Sequence, residues 1–134
     1  MQYTIYPVGI MHRRGDDNWI EIFTQYQDAM LGLEGFSHIY VLYWFHENDT
    51  MEKRAILRVH PRKDPSNPLT GVFGTHSPAR PNLIGLIRCR ILAIEKNLIR
   101  IDATDALDGS PVIDIKCFIS DKESLDHIRL PAWV

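Results

Sequence analysis

Hydrophobic and polar residues alternate along most of this chain, which is the pattern of β-strands with one buried face. Glycine, proline and asparagine separate the alternating segments, as turns do. Seven segments show the pattern and are predicted as strands: Tyr3–Met11, Trp19–Phe23, Phe36–Phe45, Arg54–His60, Ile84–Glu95, Leu98–Ala103 and Val112–Phe118. The first two are expected to form a hairpin, and the aromatic, β-branched run of the third predicts a central strand.

Helical periodicity is confined to short segments. Ala29, Met30 and Leu33 have helical spacing, which predicts two turns of helix over Asp28–Glu34 ended by Gly35. A short helix is also expected from Asp121 to Pro131. The pattern therefore predicts a mostly β fold, an antiparallel barrel or sandwich with one or two short helices. No repeat and no domain boundary interrupts residues 1–134, so a single domain is expected.

Length and composition are typical of a folded protein of the reduced cytoplasm. The chain has 134 residues, 45% hydrophobic and 24% charged, and only two cysteines, Cys89 and Cys117. No apolar run reaches the roughly 18–20 residues that span a bilayer, and the first residues do not resemble a signal peptide. We therefore expect a cytoplasmic protein without a membrane segment.

The charges are unevenly distributed along the chain. Residues 53–100 contain ten lysines and arginines against two acids, whereas the segments on either side are acidic. The basic segment predicts a local surface for phosphates, if the charges stay together after folding. Mixing of the charges between strands is the equally open alternative.

A stiff, glycine- and proline-rich loop carries the densest set of candidate functional residues. It spans residues 71–85 and has the sequence GVFGTHSPARPNLIG. Arg80 offers a planar fork for a carboxylate or a phosphate, and Asn82 can bind an adenine edge. Glycines let the backbone approach a ligand closely. The alternative is a rigid loop whose polar groups bond only to each other.

A second candidate motif is the acidic stretch DALDGSPVIDIK over residues 105–116. Asp108 and Gly109 are predicted to form a turn. Asp114 and Lys116 are two residues apart on a strand and therefore share one face. They are interpreted either as a pair that binds ribose hydroxyls and polarises a nucleophile, or as a surface ion pair of little energetic value.

Other site classes find little support in the sequence. No histidine pair has zinc-ligand spacing with further ligands, so no metal is expected. A hydrolase built from Ser77, His76 and Asp108 lacks the GxSxG nucleophile elbow. The chain also lacks a GxGxxG dinucleotide fingerprint. Of the six histidines, His76 is the one placed in a candidate functional loop.

The two motifs together resemble the TsaA-like family of β-barrel methyltransferases, which includes TrmO. The family pattern is approximately GVFATRSPxRPNPIG followed by DxxDGTPVxDIKPY, and residues 71–85 and 105–118 are similar to it. Upstream, residues 31–39 (LGLEGFSHI) resemble the family's GLEGFSH segment. The resemblance covers roughly residues 5–120, with the motifs in the same order.

The resemblance implies a small antiparallel barrel, a homodimer with its cofactor near the subunit interface, and a specific chemistry. The cofactor would be S-adenosylmethionine and the partner tRNA, methylated at N6 of threonylcarbamoyl-adenosine beside the anticodon. The sulfonium is already an activated donor, so alignment is the protein's main task. On this basis the cofactor is expected to contact Phe73, Arg80, Asn82, Ile84, Gly85 and Asp108. The catalytic residues are expected to be His76, Asp114 and Lys116.

Among the departures from the family pattern, His76 and the pair Cys117-Phe118 favour a second hypothesis. The arginine of TRSP is His76, and an imidazole cannot supply the guanidinium fork. Leu83, Ser110 and the pair Cys117-Phe118 replace other family residues. The alternative to the enzyme is therefore a non-catalytic S-adenosylmethionine-binding module that serves in regulation or interaction.

Overall fold

Six antiparallel strands close into a barrel, which confirms the predicted fold class. The computed structural model of the chain describes residues 1–120 and 125–134. Its barrel strands are β1 Gly9–Arg14, β2 Asp17–Ile22, β3 His38–Trp44, β6 Ile84–Glu95, β7 Leu98–Ile101 and β8 Pro111–Cys117. They pair in the order β1-β2-β7-β6-β3-β8, and β8 returns to β1. Two short strands, β4 Arg58–Val59 and β5 Thr70–Gly71, pair with each other outside the barrel.

Alternate residues of the six strands fill the barrel with one hydrophobic core. Because neighbours in a strand point to opposite faces, every second residue faces inward. The buried set is Met11, Ile20, Ile22, Ile39, Val41, Tyr43, Cys89, Ile99, Ile101 and Val112. The central strand β3 shows the pattern most fully, since Ile39, Val41 and Tyr43 are buried and the residues between them are not. The prediction of a central strand is confirmed, since β3 lies between β6 and β8.

The wall of the barrel is weakest between β1 and β8. These strands share only two residue pairs, Gly9 with Val112 and Ile10 with Pro111. Beyond them β8 continues beside β3 alone, as far as the pair of Ile39 with Cys117. The chain between β2 and β3 lies across the resulting gap, and a cleft forms between this segment and β8.

The helical segments are shorter and tighter than periodicity predicted. In place of one helix over Asp28–Glu34, two 3-10 helices span Thr24–Met30 and Leu33–Gly35. Gly32 separates them with φ of +82°, which favours glycine. Further single turns are α1 Met51–Arg54 and 3-10 helices at His46–Asn48, Pro61–Lys63 and Val72–Gly74. The helix expected from Asp121 begins outside the described residues, and 125–134 are described without one.

Two predicted strands were largely wrong. Residues 3–7 lie outside β1 and are exposed, and Pro7 has no N–H to donate to a ladder. The segment Arg54–His60 is mostly not a strand, because Thr50 caps α1 by accepting a hydrogen bond from the Lys53 amide. Only Arg58 and Val59 of that segment pair with another strand. The other five predicted strands all agree with the structure within two residues at each end.

Tyr43 holds one end of the barrel together. A Cβ added at Gly85, its neighbour on β6, would lie 2.5 Å from Cζ of the Tyr43 ring. The Tyr43 hydroxyl donates a hydrogen bond of 2.8 Å to Asp105, in the loop before β8. The ring also meets Phe45 edge to face at a centroid distance of 5.4 Å. Burial and the Asp105 carboxylate raise the pKa of Tyr43 well above its usual range, so the hydroxyl stays protonated and donates.

Replacing Gly85 with alanine is expected to destabilise the protein by about 2 kcal/mol, since the new methyl group overpacks the Tyr43 ring. Chemical denaturation measures the loss. Gly71→Ala is the matched control, because its Cβ would meet nothing closer than the Leu57 carbonyl oxygen at 3.8 Å. Equal effects of the two substitutions would contradict the packing argument.

The stability of the protein is expected to fall above pH 9 because of Cys89. Burial, and then the Asp102 and Asp105 carboxylates, raise the pKa of this thiol from 9.0 to about 12. The unfolded thiol therefore loses its proton first, and its contribution to stability declines as the pH rises from 9 towards 12. Between pH 9 and 10.5 the free energy of unfolding should fall by about 1.5 kcal/mol more in the native protein than in Cys89→Ala. Parallel curves would contradict this assignment.

Candidate cofactor and catalytic site

The loop of residues 71–85 is held rigid mostly by its own polar groups. The Thr75 hydroxyl donates to the Val72 carbonyl and accepts from the Ser77 amide. The Ser77 hydroxyl accepts from the Ala79 amide. Nη1 of Arg80 donates to the carbonyl oxygens of Thr75 and Ser77 at 3.2 and 3.3 Å. One of the two terminal nitrogens of Arg80 therefore binds its own loop, which agrees in part with the alternative of a rigid loop whose polar groups bond to each other.

Three other loop side chains point to solvent and are available to a ligand. Phe73 is 85% exposed, and His76 and Asn82 are also exposed. Among the described residues, no side-chain partner bonds to either His76 or Asn82. The Asn82 carbonyl instead accepts from the Ile84 amide, which turns the chain into β6. Phe73, His76 and Asn82 are thus the part of this motif that the fold itself does not use.

A polar bracket formed by Trp44, Asp49, Arg54 and Pro81 fixes the loop to the end of β3. Nε of Arg54 donates to the Pro81 carbonyl at 3.1 Å, and its guanidinium lies 5.6 Å from the Trp44 ring centre. Asp49 accepts from Trp44 Nε1 at 3.1 Å and from Arg54 Nη1 at 3.4 Å. Sequence reasoning missed this bracket, because its members are separated by up to 37 positions and only the fold brings them together.

In the second motif, Asp108 supports the fold. Its carboxylate accepts from the Arg13 amide at 2.7 Å, and Gly109 donates to the Met11 carbonyl. Asp108 and Gly109 form the predicted turn, and Gly109 has φ of +83°. The Ser110 hydroxyl, which the threonine of the family pattern would also supply, donates to Leu107 at 2.7 Å. These bonds join the 104–110 loop to β1.

Asp114 and Lys116 lie together on the outward face of β8. Asp114 is opposite Leu42 of β3, and Lys116 is opposite Tyr40. In the described part of the chain the two side chains form no ion pair with each other. Oδ1 of Asp114 accepts from the Ile115 amide at 2.9 Å, which leaves its second oxygen to a ligand. The prediction of a shared face is therefore confirmed, while a catalytic role stays a prediction.

A cleft with a volume of about 460 Å³ lies at the gap between β1 and β8. Its walls are mainly apolar, and Asp114 contributes the single carboxylate of the lining. The lining residues are Val8, Ile22, Tyr26, Ala29, Met30, Leu31, Gly32, Leu33, Phe36, Asp114, Ile115 and Cys117. Most come from the segment between β2 and β3, part of which carries the GLEGF similarity. Sequence reasoning used that segment as a resemblance but assigned it no role.

The nine predicted site residues therefore separate into three groups. Asp114 lies in the cleft, with Lys116 beside it on the outward face of β8. Phe73, His76, Arg80, Asn82 and Ile84 belong to the bracketed loop, and none of them lines the cleft. Gly85 and Asp108 are engaged by Tyr43 and by the Arg13 amide, respectively. Ile84 connects the loop to the outward face, since it pairs with Trp44 of β3, the strand that also pairs with β8 at Asp114.

Other possible sites are less developed. A smaller cavity of about 240 Å³ lies over β2, β6 and β7, where Arg100 is already paired with Asp17. It contains no residue of either motif. Within residues 1–120 and 125–134, no group of three or more histidine, cysteine, aspartate and glutamate side chains could hold a metal ion. In the same residues no helix has the length and hydrophobicity needed to cross a membrane.

The chain is similar to proteins of a known family. Residues 6–124 match the family described as the tRNA-methyltransferase O N-terminal domain. A probable S-adenosyl-L-methionine-binding protein of Methanocaldococcus jannaschii is 45% identical over 124 residues, covering 92% of this chain and 96% of that protein. The mouse tRNA (adenine(37)-N6)-methyltransferase is 39% identical over 109 residues, covering 81% of this chain but only 25% of that protein.

Solved structures share the fold. A crystal structure of TrmO superimposes with a TM-score of 0.73 at 26% identity over 97% of this chain. The TrmO crystal structure from Pseudomonas aeruginosa gives a TM-score of 0.71 at 24% identity over 96%. The chain covers 64% and 62% of those two proteins, respectively, so it corresponds to less than two thirds of their length.

Substituting Arg54 with glutamine is expected to loosen the loop without unfolding the barrel. Loss of the Pro81 hydrogen bond and of the Trp44 ring interaction should speed amide exchange over residues 75–83 by about tenfold. Hydrogen-exchange mass spectrometry measures this rate. Lys53→Gln removes the same charge from the adjacent, exposed position and should leave exchange unchanged. Equal protection in both variants would show that the bracket does not position the loop.

Proposed function

The chain belongs to the tRNA-methyltransferase O N-terminal domain family, and from this premise we propose that it is an S-adenosylmethionine-dependent methyltransferase. The acceptor in this proposal is N6 of an adenine in tRNA. The threonylcarbamoylated adenosine is the form that the motif resemblance implies. Relatives named as tRNA (adenine(37)-N6)-methyltransferases, 36–39% identical to this chain, support the reaction.

The observation that carries the proposal is the apolar cleft with one carboxylate at Asp114. Its volume, about 460 Å³, lies within the range of about 300–1,000 Å³ that is typical of small-molecule sites. The chemistry of the lining fits S-adenosylmethionine, because that molecule combines a flat apolar base with hydroxyls and a cationic sulfonium. A carboxylate binds either hydroxyls or a cation. Three archaeal relatives named as probable S-adenosyl-L-methionine-binding proteins support the same ligand.

In this proposal the cleft residues bind and orient, and they exclude water. S-adenosylmethionine supplies the activated methyl group when bound. Apolar walls such as Leu33 and Ile115 lower the local dielectric, and the free oxygen of Asp114 fixes a polar group at the edge. Lys116, two residues further along the same face, would hold negative charge of the substrate near that edge. A rate advantage would come mainly from alignment of donor and acceptor.

The bracketed loop would complete the site beside the cleft. Arg80 keeps Nε and Nη2 without a partner among the described residues, and Asn82 keeps its whole amide. We propose these two as polar contacts to the cofactor or to the modified base, with Phe73 and Ile84 as apolar contacts and His76 as a polar neighbour. Gly85 and Asp108 act in this proposal only through the fold, since Tyr43 and the Arg13 amide occupy them.

A non-catalytic S-adenosylmethionine-binding module is the second candidate function. The names of the archaeal relatives favour it, since those proteins match this chain over 82–96% of their own length and are named only for binding. The imidazole of His76, where the family pattern has an arginine, favours it as well. Binding of the cofactor is common to both candidates, and transfer of the methyl group separates them.

A cytoplasmic homodimer is the setting that we infer for this activity. Access to tRNA supports the location. Leu31 is 94% exposed at the cleft, and Phe36 beside it is 38% exposed. Exposed apolar side chains around a binding cleft are typical of surfaces that a partner covers. A second copy placed there would close the cleft from solvent, which sedimentation of the purified protein would test.

The first experiment is calorimetric titration of the protein with S-adenosylmethionine. We expect saturable binding that Asp114→Asn weakens about tenfold, because the amide keeps the size of the carboxylate but loses its charge. Asp102→Asn is the control, since that carboxylate caps backbone amides and lies outside the cleft. Equal affinities in the two variants would contradict the assignment of the cleft, and absence of binding would contradict both candidate functions.

Transfer of radiolabelled methyl groups to tRNA then distinguishes the two functions. The enzyme is expected to label tRNA that carries threonylcarbamoyl-adenosine and to leave tRNA without that modification unlabelled. Cofactor binding without labelling would favour the non-catalytic module. In that case His76→Arg, which restores the family residue, tests whether the imidazole is the cause.

A further inference from the structure

The outward face of β3 and its two neighbours brings three cations and three aromatic rings together. Tyr40 lies directly opposite both Arg88 of β6 and Lys116 of β8, and His38 lies opposite Arg90. Residues paired in this way share a face and stand about 5 Å apart. With Phe118, which follows β8, they form a surface that we call the outer platform: His38, Tyr40, Arg88, Arg90, Lys116 and Phe118.

The three cations of the outer platform are available to a ligand. The three ion pairs of the described residues, His12–Glu21, Arg54–Asp49 and Arg100–Asp17, all lie elsewhere. The nearest acid along β6 and β7, Asp102, accepts hydrogen bonds from the backbone amides of Arg90 and Ala103. Arg88, Arg90 and Lys116 are exposed. Among the described residues, the three cations are accompanied by Asp114 beside Lys116 and by Asp102 beside Arg90, so the outer platform has a positive net charge.

The aromatic rings lie among these cations. Phe118 is at the centre, with its ring 5.5 Å from Tyr40 and 6.1 Å from His38, both edge to face. The Arg88 guanidinium lies over the Phe118 ring at 5.1 Å. All three rings are only half-buried, so part of their surface faces solvent. Cations that alternate with partly exposed rings are the composition of surfaces that bind single-stranded nucleic acid.

We propose that the outer platform binds the single-stranded loop of the RNA substrate, with the cations on phosphates and the rings against bases. The inference rests on the proposed function and assigns it a docking surface. Single-stranded loops expose bases that stack on aromatic and guanidinium planes, whereas a paired helix hides them. The exposed cations supply an affinity that does not depend on sequence.

The outer platform also lies where an RNA substrate must lie for methyl transfer. Lys116 belongs to it, and Asp114, two residues earlier on the same face of β8, lines the cleft. Leu42 and Leu86, in register with Asp114, continue the outward face between the outer platform and Ile84 of the loop. An RNA loop held by Arg88 and Phe118 therefore reaches the edge of the cleft with a neighbouring base.

Fluorescence anisotropy tests the proposal with a labelled RNA hairpin that has the sequence of an anticodon stem-loop, titrated in a series of potassium chloride concentrations. The double variant Arg88→Gln/Arg90→Gln should bind the hairpin about tenfold more weakly. The slope of log affinity against log salt should fall by about 1 for each phosphate that the variant no longer binds. Phe118→Leu should also weaken binding about tenfold, with an unchanged slope, because it removes stacking and no charge.

The matched control is Arg14→Gln/Lys96→Gln, which removes two exposed positive charges from the β1–β2 and β6–β7 turns. The β1–β2 hairpin includes β2, the strand opposite β3 in the barrel order, and Lys96 lies past the end of β6, six residues beyond Arg90. The control should bind RNA like the native protein. Equal losses in both double variants would reduce the effect to net charge and overturn the proposal, as would failure of the native protein to bind the hairpin.

Two further readouts keep this inference separate from the proposed function. Titration of Arg88→Gln/Arg90→Gln with S-adenosylmethionine should show native affinity, since neither residue lines the cleft. Failure of the native protein to bind the cofactor is failure of the proposed function. Sedimentation should give the same mass for the variant and the native protein. A native dimer that becomes a monomer in the variant would identify the outer platform as a subunit interface and overturn the proposal.

Discussion

The packing of the Tyr43 ring against Gly85 is the contact on which one end of the barrel depends, the end where the two motif loops meet β3. Tyr43 lies on the central strand β3, between β6 and β8, and its ring fills the interior at the place where a side chain on residue 85 would be. Its hydroxyl binds Asp105. One side chain thus fixes the end of the first motif loop and the start of the second. The two motifs, twenty positions apart, therefore have a common structural anchor.

This anchor explains which parts of the site could be predicted from sequence. The aromatic and β-branched run predicted β3 as a central strand, and the strand pattern predicted the bounds of β6, because both signals are local in the sequence. Sequence reasoning assigned Gly85 to a ligand. A glycine that makes room for a bound molecule cannot be distinguished in the sequence from one that makes room for a tyrosine ring. Asp108 is a similar case, because a carboxylate that accepts from the Arg13 amide is indistinguishable by pattern from one that accepts from a ribose.

The cleft could not be predicted because it arises from pairing and not from a motif. It exists because β1 leaves β8 after two residue pairs, and no local signal fixes that register. The segment that covers the gap had weak helical spacing and folds as two 3-10 turns separated by Gly32. At the part of β8 that no longer pairs with β1, one carboxylate oxygen of Asp114 accepts a hydrogen bond from the Ile115 amide. A carboxylate at the edge of the cleft is thereby held in place by the strand that the gap exposes.

The fold also determines which charges of the basic segment, residues 53–100, are paired with acids and which remain unpaired. Two basic residues between 53 and 100 are neutralised by an acid. Arg54 pairs with Asp49 in the polar bracket. Arg100 pairs with Asp17 on the opposite side of the barrel. Within the described residues Arg88 and Arg90 form no ion pair, because their cross-strand neighbours are Tyr40 and His38, and β8 adds Lys116 to the same face. Cross-strand register therefore concentrates positive charge beside the cleft. The register that builds the core thus also places cations and rings together on the surface that we propose for the RNA substrate.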